Sequence, residues 1–184
     1  MSGFLVGLLL LAGPVSVSAS EALWDVLKAG GQVVLLRHAT TGSGVGDPPG
    51  FRLEDCASQR NLSDQGRQEA RRLGAAFRAR SIPVSQVLSS RFCRCLETAQ
   101  LAFGRAEPHP PLDNLIHDLS REPERAAAIR VLASTPPAAG NVILVTHGIN
   151  IAAATGIRLA QGEMIVVTPH AQGAFEVRGR ISPP

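Results

Sequence analysis

The chain has 184 residues, 45% of them hydrophobic and 18% charged, and its formal net charge is +3. This length is that of about one domain, and the composition is ordinary for a globular protein with a hydrophobic core. It excludes a coiled coil, a low-complexity chain and a repeat array. Only Lys28 among the 18 basic residues is a lysine. The arginines are spread along the chain and aromatic residues are few, so nucleic-acid binding is not favoured.

The first segment of the chain differs from the rest. Residues 4–11 form a short apolar run, Pro14 interrupts it, and small residues follow up to Ser20. An apolar core of about 7–15 residues followed by small residues is typical of a secretory signal peptide, and it is shorter than the roughly 20 residues that span a bilayer. We therefore expect a signal peptide over residues 1–19, a mature domain over 20–184, and export to the periplasm or the medium. A buried N-terminal helix is the alternative interpretation.

Short apolar runs then alternate with segments of helical periodicity. The apolar runs predict strands over 33–36, 84–89, 141–146, 165–168 and 174–177. The helical segments are 63–80, with Ser63 as N-cap, 92–103, 122–134 and 149–155. Residues 40–50 and 104–119 are rich in glycine or proline and predict loops. This alternation predicts a three-layer α/β fold, in which helices flank a mainly parallel central sheet.

The three cysteines allow one disulfide bond. In an oxidising compartment, a bridge from Cys56 to either Cys93 or Cys95 is expected. Cys93 and Cys95 are too close in sequence to be easy partners for each other. A zinc site is not favoured, because no histidine accompanies this spacing.

Polar side chains directly follow three of the predicted strands. Arg37 and His38 follow the first, Arg94 comes shortly after the second, and His147 and Gly148 follow the third. Ligands of such sheets bind at the carboxyl ends of the strands. We therefore expect two histidines and the arginines to meet at one edge of the sheet.

This set of residues suits phosphoryl transfer. A neutral imidazole is a competent nucleophile, and arginines neutralise the oxygens of a phosphoryl group. A second histidine can donate to those oxygens, and a glycine lets the backbone approach the ligand. The scheme requires no metal and no cofactor. Four further titratable residues have no such placement and are interpreted as ordinary loop residues: Asp47, Glu54, His109 and His117.

Four motifs together resemble a known family. Residues 33–42 (VVLLRHATTG) are similar to the Arg-His-Gly signature of the histidine phosphatase superfamily, which has the phosphoglycerate mutase-like fold. The similarity continues in 62–66 (LSDQG), in 89–99 (SSRFCRCLETA) and in 145–148 (VTHG). It spans residues 32–156.

The resemblance implies a role for each matching residue. His38 is expected to be the nucleophile that becomes phosphohistidine. Arg37 and Arg94 are expected to hold the phosphoryl oxygens, and His147 to stabilise the transferring group beside Gly148. Arg91 stands where the family usually has proline, and no catalytic role is expected for it.

The chain departs from the family pattern at two places. Ala39 replaces the usual glycine after the histidine. Asn114 stands where the family often has a glutamate that acts as general acid, and Asp113 is the neighbouring candidate for that role.

The expected function is that of a small exported, metal-independent phosphatase that hydrolyses phosphate monoesters. Its substrate would be a small phosphorylated molecule or a phosphorylated component of the cell envelope. Two alternatives stay open: an envelope module that binds a phosphorylated ligand with weak catalysis, and a phosphomutase, although mutases of this fold carry longer insertions.

Overall fold

A computed structural model describes residues 19–170 and 173–184 of the chain. Residues 1–18 of the expected signal peptide lie outside the described residues. The helices are α1 (Ala19–Ala29), α2 (Asp64–Ala79), α3 (Cys93–Phe103), α4 (Glu122–Ser134) and α5 (Gly148–Thr155). The strands are β1 (Val33–Arg37), β2 (Val84–Ser89), β3 (Glu107–Pro108), β4 (Asn141–Thr146), β5 (Met164–Pro169) and β6 (Phe175–Ile181).

The strands form one sheet in the order β3-β2-β4-β1-β5-β6. The first four of these are parallel to their neighbours, whereas β5 is antiparallel to β1 and β6 is antiparallel to β5. The sequence-based prediction of a mainly parallel sheet is therefore confirmed, and the antiparallel strands at one edge make the sheet mixed.

Alternate residues of β1 face opposite layers of helices. Val34 and Leu36 pack in a core with residues of α1, α2 and α3. Val33 and Leu35 pack in a second core with residues of α4 and α5. All four side chains are completely buried, as expected for a strand that is covered on both faces. The fold therefore has three layers.

The start of α2 is packed against the segment that follows β1. Ser63 caps the helix by accepting a hydrogen bond from the backbone of Gly66 at 3.1 Å. A Cβ atom at Gly66 would lie 1.9 Å from the carbonyl oxygen of Thr40, so only glycine fits there. This contact fixes the beginning of α2 beside the carboxyl end of β1.

Most predicted elements are confirmed to within a residue or two. Two elements were not predicted: α1, whose apolar positions Leu23, Trp24 and Leu27 face the core, and β3, a two-residue edge strand. The strand predicted over 174–177 extends to Ile181. The added part contains the exposed Arg178 and Arg180, so no apolar run marks the continuation.

No helix in the described part of the chain is long and apolar enough to span a bilayer.

Candidate active site

The carboxyl ends of β1, β2 and β4 bring the predicted residues together. The backbone of His38 donates to the carbonyl of Thr146 at 3.0 Å, and the backbone of Ser90 donates to that of Val145 at 2.9 Å. The rings of His38 and His147 consequently lie 5.4 Å apart, centroid to centroid. Both side chains are buried. The sheet thus places the two histidines next to each other, as the sequence predicted.

The contacts of His38 fix its tautomer. Its Nδ1 lies 2.9 Å from the carbonyl oxygen of Ala39. Because a carbonyl only accepts, Nδ1 carries the proton and Nε2 keeps its lone pair. Burial is the main cause that lowers the pKa of His38 to about 3; the charges of Arg94, Arg37 and Arg60 act in the same direction, and the hydrogen bond to Ala39 opposes them. The imidazole is therefore neutral at neutral pH.

His147 is held at both ring nitrogens. Nη2 of Arg94 lies 3.4 Å from Nδ1, and Oγ of Ser90 lies 2.9 Å from Nε2. Since a guanidinium only donates, Nδ1 accepts and the proton is on Nε2. The hydroxyl of Ser90 then donates to Oδ1 of Asp113 at 3.3 Å. Burial also lowers the pKa of His147 well below its ordinary value, so this imidazole is neutral as well.

Three arginines surround the two histidines. Arg94 is completely buried, and Nη1 of Arg37 donates to the carbonyl of Leu159 at 2.6 Å. The third is Arg60, which the sequence analysis did not select. Burial, and then the positive charge of neighbouring arginines, lowers the pKa of both Arg37 and Arg60.

Each of these arginines has an unpaired hydrogen-bond donor. The Nε atoms of Arg37, Arg60 and Arg94 are buried and have no hydrogen-bond partner among the described residues. Buried donors usually have partners, so three free ones in one positively charged cluster indicate an anion site. The available signal for Arg60 was its place two residues before the LSDQG motif, which contains the N-cap of α2.

Asp47 and His117 also belong to this cluster, and the interpretation of them as ordinary loop residues was wrong. The Asp47 carboxylate pairs with Arg94, Oδ1 to Nη1 at 2.7 Å, and His117 donates from Nε2 to its Oδ2 at 3.0 Å. Burial raises the pKa of Asp47, but the hydrogen bonds and charge of its partners outweigh it and leave that pKa lowered. Asp47 lies 47 positions from Arg94, and loop packing of this kind leaves no pattern in a sequence. Glu54 is exposed, and His109 contacts β2 through its backbone.

Asp113, the candidate general acid, is engaged in a network of its own. It accepts hydrogen bonds from Nε and Nη2 of Arg91 at 2.8 and 2.6 Å, besides the one from Ser90. These contacts make it an acceptor that anchors Ser90. Asn114 accepts from the backbone of Ile116 and so caps a short turn. Arg91 lies beside Asp113 and pairs with its carboxylate.

The open question of cysteine pairing is resolved in favour of Cys56 and Cys93, which form a disulfide bond. Cys95 is free and buried. The bond joins the segment that carries Arg60 to the first turn of α3, where Arg94 is the next residue. Gln59 adds a contact between the same two segments, because its Oε1 accepts from the backbone of Cys93 at 3.0 Å.

A cavity of about 570 Å³ opens beside Arg37 and Gly148. A Cβ atom at Gly148 would lie 3.1 Å from Nε of Arg37, so the glycine leaves room for that guanidinium. Glu122 and Arg158 line the cavity farther from the histidines. Among the described residues, no group of three or more histidine, cysteine, aspartate or glutamate side chains is placed to hold a metal ion.

A sequence profile of the histidine phosphatase superfamily (branch 1) matches residues 33–120. That stretch contains Arg37, His38, Arg60 and Arg94, the core of the site described above. Over these residues the chain is similar to the histidine phosphatase superfamily.

Solved structures show that the chain has the fold expected from its sequence motifs. The protein histidine phosphatase SixA complexed with tungstate is 19% identical with a TM-score of 0.57, over 83% of this chain and 97% of that one. Phosphoserine phosphatase from Entamoeba histolytica, in complex with 3-phosphoglyceric acid, is 14% identical with a TM-score of 0.60, over 82% and 96% of the two chains. At these identities the likeness shows the fold. No curated protein sequence matches the chain.

Proposed function

We propose that this protein is a phosphatase that hydrolyses phosphate monoesters through a phosphohistidine on His38. One observation carries the proposal: a neutral histidine with a free Nε2 lone pair lies within a cluster of three arginines that have unpartnered donors. A nucleophile and an anion site in contact are what phosphoryl transfer needs.

The reaction proceeds in two displacements. In the first, Nε2 of His38 attacks phosphorus while the bond from phosphorus to the ester oxygen breaks. The imidazole thereby becomes cationic, and its Nδ1–H bond to the carbonyl oxygen of Ala39 stabilises that charge. In the second, water attacks the phosphohistidine, which releases inorganic phosphate and restores the neutral imidazole.

The charges of the site suit a phosphate dianion. Arg37, Arg60 and Arg94 supply three positive charges, and Asp47 supplies one negative charge. A bound dianion would neutralise the remainder. The three free Nε–H groups would donate to its oxygens, and His147 lies close enough to His38 to contact the transferring group.

The cavity beside Arg37 would receive the alcohol part of the substrate. Glu122 and Arg158 give it charged walls of both signs, which favours a polar leaving group. We propose a small phosphorylated molecule or a phosphorylated component of the cell envelope as substrate. Solvent, reaching the site through this cavity, would supply the proton that the leaving oxygen needs.

Export and independence from metal ions complete the proposal. The disulfide between Cys56 and Cys93 supports export, because such bonds persist in oxidising compartments. The arginine cluster supports metal independence, because it supplies the positive charge that a phosphoryl group requires.

The test is hydrolysis of 4-nitrophenyl phosphate by the wild type, H38A and a matched control, H170A, which removes an exposed histidine that pairs with Glu176. We expect H38A to lose at least about a thousandfold in kcat/KM and H170A to retain wild-type turnover. Activity of H38A near that of the wild type would overturn the proposal. A wild type that binds inorganic phosphate without any turnover would instead support the envelope binding module.

A further inference from the structure

Asp47 is buried at the end of a loop whose tip is exposed. Within residues 42–50, Val45 is 92% exposed, whereas the Asp47 side chain is 0% exposed. Gly46 precedes it with a φ of 75°, a conformation that favours glycine, and Pro48 follows it. A carboxylate is rarely buried unless it is paired. The loop therefore places the charge of Asp47 in the interior, beside its partners.

The carboxylate of Asp47 is saturated with donors. Oδ1 accepts from Nη1 of Arg94 at 2.7 Å and from the backbone of Arg60 at 3.0 Å. Oδ2 accepts from Nη2 of Arg94 at 3.2 Å and from Nε2 of His117 at 3.0 Å. Each carboxylate oxygen therefore accepts two hydrogen bonds. Two of the three residues that provide them are arginines of the anion site.

These contacts divide the guanidinium of Arg94 into two sides. The two Nη atoms are occupied by Asp47, whereas Nε is buried and has no partner in the described structure. The same loop also holds Arg60, whose Nη1 donates to the carbonyl of Gly44 and whose Nε is free. Asp47 and its loop therefore leave the Nε donor of each arginine available.

We propose that Asp47 is a positioning residue, whose carboxylate fixes Arg94 and Arg60 so that their free Nε–H groups receive the phosphoryl oxygens. This role rests on the proposed phosphatase function. Asp47 acts through the two arginines and needs no contact with the substrate.

The direction in which phosphate affinity changes when Asp47 is neutralised distinguishes a positioning role from simple repulsion and from competition with phosphate. A negative charge beside an anion site repels the anion, so Coulomb's law alone predicts tighter phosphate binding once Asp47 is neutralised. The same result follows if the carboxylate competes with phosphate for Arg94. A positioning role predicts weaker binding, because the two guanidinium groups lose their fixed orientation.

The experiment measures binding of inorganic phosphate by calorimetry to the wild type, D47N and D47A. D47N keeps the shape of the side chain and guards against misfolding of D47A, and thermal unfolding checks both. The control is D64N, which removes the same charge from a residue whose side chain is 96% exposed and paired with Arg67. We expect about 10- to 100-fold weaker binding by D47N, as for the loss of a charged hydrogen-bond partner, and unchanged binding by D64N. Unchanged or tighter binding by folded D47N would overturn the inference.

A second readout does not depend on phosphate binding. Nitrogen-15 NMR of the arginine side chains reports rotation of the Arg94 guanidinium, which Asp47 should make slow in the wild type and fast in D47N. If the wild type binds no phosphate, the proposed function fails on its own. In that event, faster rotation of the Arg94 guanidinium in D47N than in the wild type still supports the positioning role. Unchanged rotation contradicts it.

Discussion

Ser90 and His147 are joined through their side chains, with Oγ 2.9 Å from Nε2, at the carboxyl ends of two neighbouring parallel strands. Ser90 is completely buried. Its hydroxyl accepts a hydrogen bond from the imidazole and donates one to Asp113, which Arg91 holds in place. This hydroxyl connects His147 to Asp113 and, together with Arg94 at Nδ1 and Cys95 Sγ 3.5 Å from Nε2, orients the ring.

Replacing that hydroxyl should affect catalysis more than binding. In S90A, His147 loses the oxygen acceptor of its Nε2–H group and keeps only the weaker contact with Sγ of Cys95, and we expect kcat to fall about tenfold, the cost of one buried hydrogen bond. Inhibition by inorganic phosphate should change little, because Ser90 has no part in the arginine cluster. The control is S85A, which removes a hydroxyl from the other end of β2. An S90A variant with wild-type kcat would contradict this account of His147.

Arg60 should be as important for anion binding as the arginines that the motifs identify. We expect R60A to weaken inhibition by inorganic phosphate or vanadate about 10- to 100-fold, because one charged donor of the cluster is lost. R71A removes an equal charge from an exposed position of α2 and should leave inhibition unchanged. Equal inhibition constants for R60A and R71A would show that Arg60 lies outside the anion site.

The disulfide should stabilise the fold and hold two arginines together. It closes a loop with a sequence separation of 37, for which chain entropy gives about 4 kcal/mol of unfolding free energy. We expect C56S to lose stability of that order in denaturant and to bind phosphate more weakly, because the Arg60 segment is no longer fixed to α3. A reductant should reproduce both effects in the wild type and add nothing to C56S. Retained phosphate affinity in reduced, folded protein would be contrary to this expectation.

The buried histidines should make the fold sensitive to acid. The pKa of His38 falls from 6.5 to about 3 on folding, so the unfolded chain binds a proton between these values that the folded chain does not. The free energy of unfolding should therefore decrease as the pH falls below about 6.5, by about 1.4 kcal/mol per pH unit for this group. His147 contributes in the same direction. Denaturant unfolding of H38N should show a smaller dependence on pH than the wild type; equal slopes would refute the burial of a neutral His38.

The sequence predicts the elements that carry strong patterns. Buried strands such as β1 are continuous apolar runs, and helices such as α2 have a capping residue and apolar periodicity, so both could be recognised. Only the first part of β6 could be recognised, because its continuation beyond Val177 contains the exposed Arg178 and Arg180 and no apolar run. The edge strand β3 is only two residues long and contains Pro108.

The residues of the candidate active site also differ in how well the sequence predicts them. Arg37, His38, Arg94 and His147 follow strands, so their meeting at one edge is a consequence of topology. Asp47, Arg60 and His117 reach the cluster from loops, through side-chain contacts between residues far apart in sequence. Such contacts depend on how loops pack, which neither periodicity nor spacing records.

Rapid quenching would detect a phosphoryl group carried by His38. The purified full chain is mixed with an aryl phosphate, stopped within the first turnover, and digested for mass spectrometry of the peptides. We expect acid-labile phosphate on the peptide that contains His38, and none on that peptide in H38A. Turnover without any phosphorylated peptide, or with phosphate on a different residue, would contradict this expectation.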